Sequence, residues 1–327
     1  MIKISIIILL KNGERYLPDI LNAVFKQEIN EQFEVICIDS GSSDKTLEII
    51  SSYCVRMYQI KPIDFNHGET RNLGGKLSSE DSTFLVYLSQ DAIPADKYWL
   101  KNLIEPMIKD DLVAGCFSRH IPRETSSPSL VRQLLYYWQT GGKQRIVKQF
   151  PSSEEEFYKN RTYYNTFSNT SSAIRKSVWK HIPFSKVTFA EDALWADQVL
   201  RQGYKIVYEP SSCVIHSHDY PIIEQFRQNV DHAFAMKKLF NPPDYSKRSY
   251  WVRLLFSIPI QIWRDWFFIY NHEPFKSYSY GRKIYFQYHS ICWHFASALG
   301  TIVGANYEKI PSSLRIIFSR QEILRLK

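Results

Sequence analysis

Hydrophobic positions in the first third of the chain alternate between strand-like runs and helix-like spacing. The run at 4–10, which is apolar except for Ser5, predicts a buried β-strand. Apolar residues then recur three and four positions apart, as on one face of a helix, at Leu17, Ile20, Leu21 and Val24. Further strands are predicted at 33–38, 55–60, 83–88 and 112–117, and further helices over 96–108 and after the N-cap candidates Ser42 and Ser43. This alternation indicates an α/β fold whose mainly parallel central sheet is covered by helices.

The middle of the chain carries a weaker pattern. Residues 119–167 read as a loop-rich region with one helix at 130–138. A helix predicted at 191–201 is followed by Gly203, a residue type common just beyond helix ends. Two short strands are expected after it, at 205–208 and 213–215.

Charge is distributed unevenly between the two parts of the chain. The net charge is +8, yet residues 226–327 contain 15 Lys and Arg against 6 Asp and Glu, or +9, which leaves −1 for residues 1–225. We therefore expect two domains: an α/β domain at 1–225 and a mostly helical, basic and aromatic region at 226–327. The positive charge indicates that the second region meets an anionic partner.

Residues 284–307 contain no charged residue, as a membrane span would. However, polar residues such as Gln287, His289, Ser290 and His294 make the segment too polar to cross a bilayer. Its flanking basic residues and its aromatic rings suit a helix that lies on a membrane surface. A helical subdomain packed on the rest of the chain or on a second copy fits equally well.

Composition and motifs exclude several functional classes. The five cysteines are an odd number without a CxxC pair, which indicates a reducing cytosol and neither a disulfide framework nor a thiolate zinc site. No GxGxxG follows a predicted strand, and this disfavours a nicotinamide enzyme. The basic residues of the C-terminal region are scattered among apolar ones without a recognisable motif, so we expect no nucleic-acid partner.

Two aspartates lie just after predicted strands, where ligands bind in parallel sheets. Asp39 opens the segment 39–46, whose small residues permit a tight turn and whose helix N-terminus offers N–H groups to a phosphate. Asp91 lies in a Ser-Gln-Asp-Ala sequence and can ligate Mg²⁺ or Mn²⁺. A capped turn and a loop-capping aspartate are the purely structural alternatives.

Three further places combine polar side chains with predicted turns or element ends. Arg71, in segment 65–72, can meet a phosphate or a base, or can be a solvated arginine at the start of a helix. Glu191 and Asp192 open a helix, where a carboxylate can act as a general base or merely complement the helix dipole. His216 follows a predicted strand, and we prefer it to His218 as a metal ligand.

As an ordered set, these residues resemble the family 2 glycosyltransferases of the GT-A fold over roughly residues 1–220. Segments 65–72, 89–92 and 167–175 look most like the bacterial rhamnosyltransferase branch of that family. There are two departures from the family pattern. Leu9-Leu10 stands where the first strand commonly ends in Pro-Thr, and Ser89 replaces the first aspartate of the metal motif.

The resemblance implies a GT-A nucleotide-sugar-binding fold and a role for each residue. Asp192 would be the catalytic base, and Glu191 would support it or touch the acceptor. Asp91 and His216 would hold Mg²⁺ or Mn²⁺. Nucleotide contacts would come from Asp39, Ser42, Asn66, His67 and Arg71.

The implied activity is the inverting transfer of L-rhamnose from dTDP-β-L-rhamnose. The acceptor would be a hydroxyl of a growing bacterial surface polysaccharide, of O-antigen or capsule type, on a lipid carrier. The region 226–327 would hold the protein peripherally at the cytoplasmic, inner face of the plasma membrane, or would join copies into a homo-oligomer. A family 2 enzyme with a UDP-hexose donor and a non-catalytic nucleotide-sugar binding module are the alternatives.

Overall fold

The computed structural model describes residues 3–136, 141–240 and 248–325. The chain divides into two compact units. Residues 1–123 and 134–216 form the first unit, and residues 124–133 and 217–327 form the second. The domain boundary expected at residue 225 stays a prediction.

The first unit is an α/β unit built around one sheet. Its strands are β1 (Lys3–Leu10), β2 (Gln32–Asp39), β3 (Arg56–Gln59), β4 (Phe84–Ser89), β5 (Ile93–Pro94), β6 (Val113–Ile121), β7 (Ile146–Lys148), β8 (Ser171–Arg175) and β9 (Lys205–Ile215). Its helices are α1 (Leu17–Phe25), α2 (Thr46–Ser51), α3 (His67–Leu77), α4 (Trp99–Lys109), α6 (Glu154–Lys159), α7 (Arg161–Tyr164), α8 (Lys176–His181) and α9 (Glu191–Arg201). Helix α5 (Pro128–Tyr136) begins in the second unit and ends in the first.

The sheet is mixed but mostly parallel, as the sequence predicts. Its strand order is β3-β2-β1-β4-β8-β6-β9-β5, and β7 also pairs with β9. Strands β1, β2, β3, β4, β6 and β9 run in one direction, whereas β5, β7 and β8 run against their neighbours. The sequence did not predict β8, which sits between β4 and β6 and reverses the local direction.

The central strand β1 is apolar except for Lys3 and Ser5, because both faces of the sheet are covered. Ile4, Ile6 and Ile8 belong to the core on one face, and Ile7 belongs to the core on the other. None of the four is more than 1% exposed. A nearly unbroken apolar run is typical of a strand buried on both faces, so the prediction made from residues 4–10 is confirmed.

Two local predictions are wrong. Helix α2 is not capped by Ser42 or Ser43: it begins at Thr46 with Lys45 as its N-cap residue. The two short strands expected at 205–208 and 213–215 are one strand, β9. Its pairing with β6 passes from Glu209 directly to Cys213, because Pro210 has no N–H to donate and the chain bulges there.

The region 119–167 holds more regular structure than its sequence pattern indicates. The helix expected at 130–138 is α5, which begins two residues earlier, at Pro128, and Trp138 lies outside the described residues. Strand β7 and the short helices α6 and α7 follow it and were not predicted.

The second unit is helical, as expected for the C-terminal region. Its helices after α5 are α10 (Ile222–Phe240), α11 (Arg248–Asn271), α12 (Tyr280–Ala305), α13 (Ser312–Phe318) and α14 (Arg320–Arg325). Helices α10 and α12 approach closely at Gly300 and Gly304, where an added Cβ would lie 2.4 and 2.3 Å from backbone oxygens of α10. In the described parts of the chain, no helix combines the length and the apolar character that crossing a bilayer requires.

A buried carboxylate joins three elements of the second unit. Asp265 of α11 is fully buried and pairs with Arg132 of α5. It also accepts a hydrogen bond from Ser290 (2.7 Å) and lies 2.8 Å from Nε2 of His294, both on α12. Burial alone would raise the pKa of Asp265. Its hydrogen bonds and the charges of His294 and Arg132 have the larger, opposite effect, and the pKa falls to about 2.

We predict that Asp265→Asn destabilises the second unit by about 3–5 kcal/mol, because it leaves Arg132 partly buried without its counter-charge. Since the folded-state pKa lies below the unfolded value of about 3.9, the stabilisation is present above about pH 4 and is lost as the pH falls towards 2. Urea unfolding at pH 7 measures the loss. Asp81→Asn, whose side chain is 71% exposed beside Lys3, is the control and should cost at most about 1 kcal/mol. Equal losses in both variants would contradict the prediction.

Candidate active site

The direction of the strands brings chemically active side chains to one edge of the sheet. Asp39 ends β2, Asp91 follows β4 and His216 follows β9, so all three lie beyond carboxyl ends of strands that run the same way. Strand β8 runs in the opposite direction, and therefore its amino end, with Asn169, lies at the same edge. Ser89 at the end of β4 donates a backbone hydrogen bond to Thr170 (2.9 Å), which fixes this arrangement.

Asp39 organises the turn between β2 and α2. Its carboxylate is fully buried and accepts hydrogen bonds from the backbone N–H groups of Gly41 (3.0 Å) and Ser42 (3.1 Å), and from the Ser42 hydroxyl. Gly41 has φ +91°, and a Cβ there would lie 2.7 Å from Cγ of Pro62, so only glycine fits this turn. Contact of Asp39 and Ser42 with a nucleotide stays a prediction.

The loop after β1 interlocks with this turn through Asn12. This residue adopts a left-handed conformation (φ +52°). Its N–H donates to the Ser42 hydroxyl (2.8 Å), and its Oδ1 accepts from the N–H of Ser43 (2.8 Å). The N–H of Lys45 donates to Glu14 (3.0 Å), and that of Thr46 to Asp44 (3.0 Å). The N–H groups that the sequence offers to a phosphate at the start of α2 are therefore largely occupied by the protein's own side chains.

Helix α3 positions the loop that leads into α9. Asn66 caps α3 by accepting from the N–H of Glu69 (3.1 Å), and its side-chain amide donates to the carbonyl of Val187 (2.9 Å). The Asn72 side chain donates a hydrogen bond to the carbonyl oxygen of Phe184 (2.8 Å) and accepts one from the Phe184 N–H (3.0 Å). Two asparagines on α3 thus fix the course of residues 184–187.

The charged groups of α3 and α9 meet in a buried ion pair. The Arg71 guanidinium pairs with Glu191, and the two side chains are 10% and 8% exposed. Burial raises the pKa of the Glu191 carboxyl, but the opposing contributions, of which the positive charge of Arg71 is the largest, bring it below its ordinary value. Desolvation first and the Arg71 charge second lower the pKa of His67, against the opposing effect of Glu191. Arg71 is therefore not the solvated surface arginine of the structural alternative.

Asp192, the next residue along α9, has a different environment. It is partly exposed, and its carboxylate accepts hydrogen bonds from the backbone N–H groups of Ala193 (2.8 Å) and Asn169 (3.3 Å). Burial first and the negative charge of Glu191 second raise the pKa of Asp192 to about 7. A carboxylate with a pKa near neutrality is suited to take a proton from a bound hydroxyl.

The chain enters α9 through an unusual backbone conformation. Ala190 has φ +61° and ψ +35°, the left-handed region that residues other than glycine rarely adopt. Such a conformation costs about 1–3 kcal/mol and is typical of functional sites, where the surroundings hold it in place. Here it sets the orientation of the adjoining Glu191 and Asp192.

Asp91 and His216 are brought together by a short strand pairing. Strand β5, two residues after Asp91, pairs with the end of β9, so that Ile93 lies opposite Ile215. As a result, Oδ1 of Asp91 lies 3.5 Å from Nε2 of His216. The backbone of each is fixed as well: the His216 N–H donates to Ile121 (2.9 Å), and Arg123 donates to the Asp91 carbonyl.

This pair fits a divalent cation. Two ligand atoms that are each about 2.1 Å from one ion lie about 3–3.5 Å apart, which matches the Asp91–His216 separation. A carboxylate oxygen and an imidazole nitrogen are donors that Mn²⁺ accepts, and two protein ligands leave coordination positions for phosphate oxygens and water. The preference for His216 over His218, whose ring stacks on Tyr220, stays a prediction.

Sequence reasoning missed three residues that organise the site. Gln90 clamps the backbone of Lys11 by accepting from its N–H (2.8 Å) and donating to its oxygen (3.1 Å). Asn72 anchors the loop before α9, and Asn169 supports Asp192. All three lie inside the segments 65–72, 89–92 and 167–175 that carry the family resemblance. The amide side chains of Gln90 and Asn72 were an available signal, whereas Asn169 acts through its backbone N–H.

Sequence comparisons place the chain in a known family. Residues 5–181 match the model of glycosyl transferase family 2. The O-antigen chain rhamnosyltransferase RfbN of Salmonella typhimurium is 33% identical over 232 residues, which cover 70% of this chain and 71% of that protein. The O-antigen chain rhamnosyltransferase WbaN of Salmonella anatum is 32% identical over 210 residues, covering 63% of this chain and 64% of that protein.

Solved structures agree on the fold. The crystal structure of residues 1–349 of TarS from S. aureus has a TM-score of 0.51 at 17% identity and covers 94% of this chain and 92% of that one. The mannosyltransferase PcManGT of Pyrobaculum calidifontis, solved with GDP-Man and Mn²⁺, has a TM-score of 0.55 at 12% identity, with coverages of 91% and 86%. At these identities the likeness establishes the fold alone, and it is the GT-A fold that the sequence predicts. With the family match and the rhamnosyltransferase relatives, it follows that the chain belongs to glycosyltransferase family 2.

Proposed function

We propose that this glycosyltransferase moves L-rhamnose from dTDP-β-L-rhamnose to a hydroxyl of a growing bacterial surface polysaccharide, with inversion at the anomeric carbon. The observation that carries the chemistry is the environment of Asp192, whose pKa is raised to about 7 at the start of α9. The choice of sugar is supported by two relatives that are named O-antigen chain rhamnosyltransferases.

In the proposed reaction, Asp192 removes a proton from the acceptor hydroxyl as its oxygen attacks the anomeric carbon. The nucleoside diphosphate leaves from the opposite face of the sugar, so a β-linked donor gives an α-linked product. Backbone N–H groups of Asn169 and Ala193 hold the Asp192 carboxylate in place. The negative charge of Glu191 raises the pKa of Asp192, so Asp192 is the stronger base of the two. Arg71 stabilises the ionised form of Glu191, and Glu191 itself therefore does not take the proton.

The roles of the remaining site residues follow from their positions. Asp91 and His216 would hold Mg²⁺ or Mn²⁺, and the bound ion would supply positive charge that offsets the negative charge of the diphosphate. Asp39, Ser42, Asn66 and His67 are proposed to line the nucleotide side of the site. Arg71 is proposed to act there through Glu191 and His67, because its guanidinium is already engaged in the buried pair.

The acceptor is proposed to be a glycan on a lipid carrier, which requires the enzyme to work beside a bilayer. We infer a cytoplasmic protein held peripherally at the inner face of the plasma membrane, with a homo-oligomer as the alternative use of the basic C-terminal region. A UDP-hexose donor would keep this mechanism and change only the sugar. A non-catalytic binding module would have no use for a base with a near-neutral pKa at Asp192.

We predict that nucleotide release identifies the donor. Purified protein is incubated with dTDP-L-rhamnose, UDP-glucose, UDP-GlcNAc or GDP-mannose and a bacterial membrane lipid extract, in Mg²⁺, Mn²⁺ or EDTA. We expect release of dTDP only, and loss of that release in EDTA. Preferential release of UDP or GDP would overturn the rhamnosyl assignment, and failure of every donor both to turn over and to bind would overturn the proposed function.

Asp192→Asn should lower kcat by about 10²–10⁴-fold, because amides do not accept the proton at neutral pH. Donor affinity, measured by calorimetry, should remain close to that of the unmodified protein. Asp111→Asn, at a side chain that is 97% exposed, serves as the matched control and should leave both quantities unchanged. If donor affinity collapses along with turnover in Asp192→Asn, then Asp192 is not simply the base.

Glu191→Gln should shift the pH dependence of the reaction. Turnover should rise with pH through about 7 in the unmodified protein, as Asp192 loses its proton. Removing the negative charge of Glu191 lowers the pKa of Asp192, so the rise should move to lower pH even if maximal turnover falls. The control Glu69→Gln lies on α3 with a 44% exposed side chain and should keep the original profile. An unmoved profile in a folded Glu191→Gln protein would refute the electrostatic coupling.

A further inference from the structure

Helix α11 exposes a continuous apolar stripe along its length. Its six members are between 42% and 73% exposed: Val252, Phe256, Ile260, Trp263, Phe267 and Tyr270. They are spaced three or four residues apart, and at about 100° per residue all six fall within a sector of about 80°. Asp265, which is fully buried, lies on the opposite side of the helix. The stripe therefore lies on the exposed side of the helix, opposite its buried side.

Helix α12 adds to the apolar surface of the second unit. Large exposed side chains recur along it at Tyr280, Ile284, Tyr288, Phe295 and Leu299, with exposures between 46% and 73%. Isolated exposed apolar residues are ordinary, but long contiguous rows of large ones mark surfaces that bind something. Rings of Trp and Tyr prefer positions where one end is apolar and the other wet.

Charges around the stripe identify the chemistry of its partner. The two helices contain five basic residues and a single acidic one, Asp265, which is buried against Arg132. Arg264 and Arg282 are exposed, and Nζ of Lys283 lies 5.0 Å from the ring centroid of Tyr270, at the end of the stripe. Positive charge without exposed negative charge complements an anionic surface.

We propose that this face of α11 lies on an anionic lipid bilayer, with its apolar side chains at the boundary between headgroups and acyl chains. An amphipathic helix with aromatic and aliphatic residues on one face and basic residues beside it binds membranes in this way. A second copy is the weaker occupant, because a two-fold pairing of identical faces would bring Arg264 and its neighbours towards their own positive equivalents. Only the purpose of this membrane contact rests on the proposed function, because an enzyme with a lipid-linked acceptor must work at a bilayer.

The test compares two triple variants of the full chain. Phe256, Trp263 and Phe267 are replaced by Ser in one, and Met57, Ile108 and Leu112 of the first unit in the other. The two sets are exposed by 55–73% and by 44–51%. Both proteins, checked for folding by circular dichroism, are sedimented with phosphatidylcholine vesicles that contain or lack phosphatidylglycerol. No nucleotide sugar is present, so the outcome is independent of transfer activity.

We expect the unmodified protein and the first-unit variant to bind the phosphatidylglycerol vesicles, and the α11 variant to bind at least about tenfold more weakly. Binding to phosphatidylcholine alone should be weaker, and so should binding of Arg264→Glu. Equal binding by the two triple variants, or no binding by the unmodified protein, would overturn the proposal. Light scattering completes the test: loss of a dimer in the α11 variant, without vesicle binding by the unmodified protein, would assign the face to a second copy instead.

Discussion

The buried ion pair between Arg71 and Glu191 is the interaction on which the site depends. It joins helix α3 to the start of α9, across 120 positions of sequence, with both side chains removed from water. Removing one partner of such a pair leaves an uncompensated charge and is strongly destabilising, even where the intact pair contributes little net stability. The ion pair therefore fixes the start of α9 relative to α3, and with it the position of Asp192.

The same pair gives two adjacent carboxyl groups different pKa values. Arg71 stabilises the negative charge of Glu191, so the pKa of Glu191 falls, and that negative charge then helps burial to raise the pKa of Asp192. Two like-charged groups side by side cannot both be equally acidic, and the guanidinium decides which of them stays ionised. The left-handed backbone at Ala190 serves the same end, since it turns the chain sharply before both residues.

What the sequence could predict was set by the range of each interaction. The apolar run of β1 and the helical face of α1 depend on local periodicity and were recognised correctly. Strand β8 could not be found from its own pattern, because its reversed direction is fixed by pairing with β4 and β6, which are distant in sequence. In the same way the pairing of Arg71 with Glu191 could not be predicted, since nothing in the local sequence indicates a partner on α9. Contact of Arg71 with a nucleotide stays a prediction. The capping error at Ser42 and Ser43 arose because Asp39 and Asn12 engage both residues.

Four acidic side chains reach one edge of the sheet, and each has a different chemical environment. Asp39 accepts hydrogen bonds from the N–H groups of Gly41 and Ser42 in its own turn. Glu191 is neutralised by a cation, and Asp91 faces an imidazole at a separation that suits a shared metal ion. Only Asp192 combines partial burial, few donors and a negative neighbour, which is the combination that brings a carboxyl pKa to about 7. The sequence alone shows four similar acids, and only in the folded protein does one of them, Asp192, have the near-neutral pKa that suits a general base.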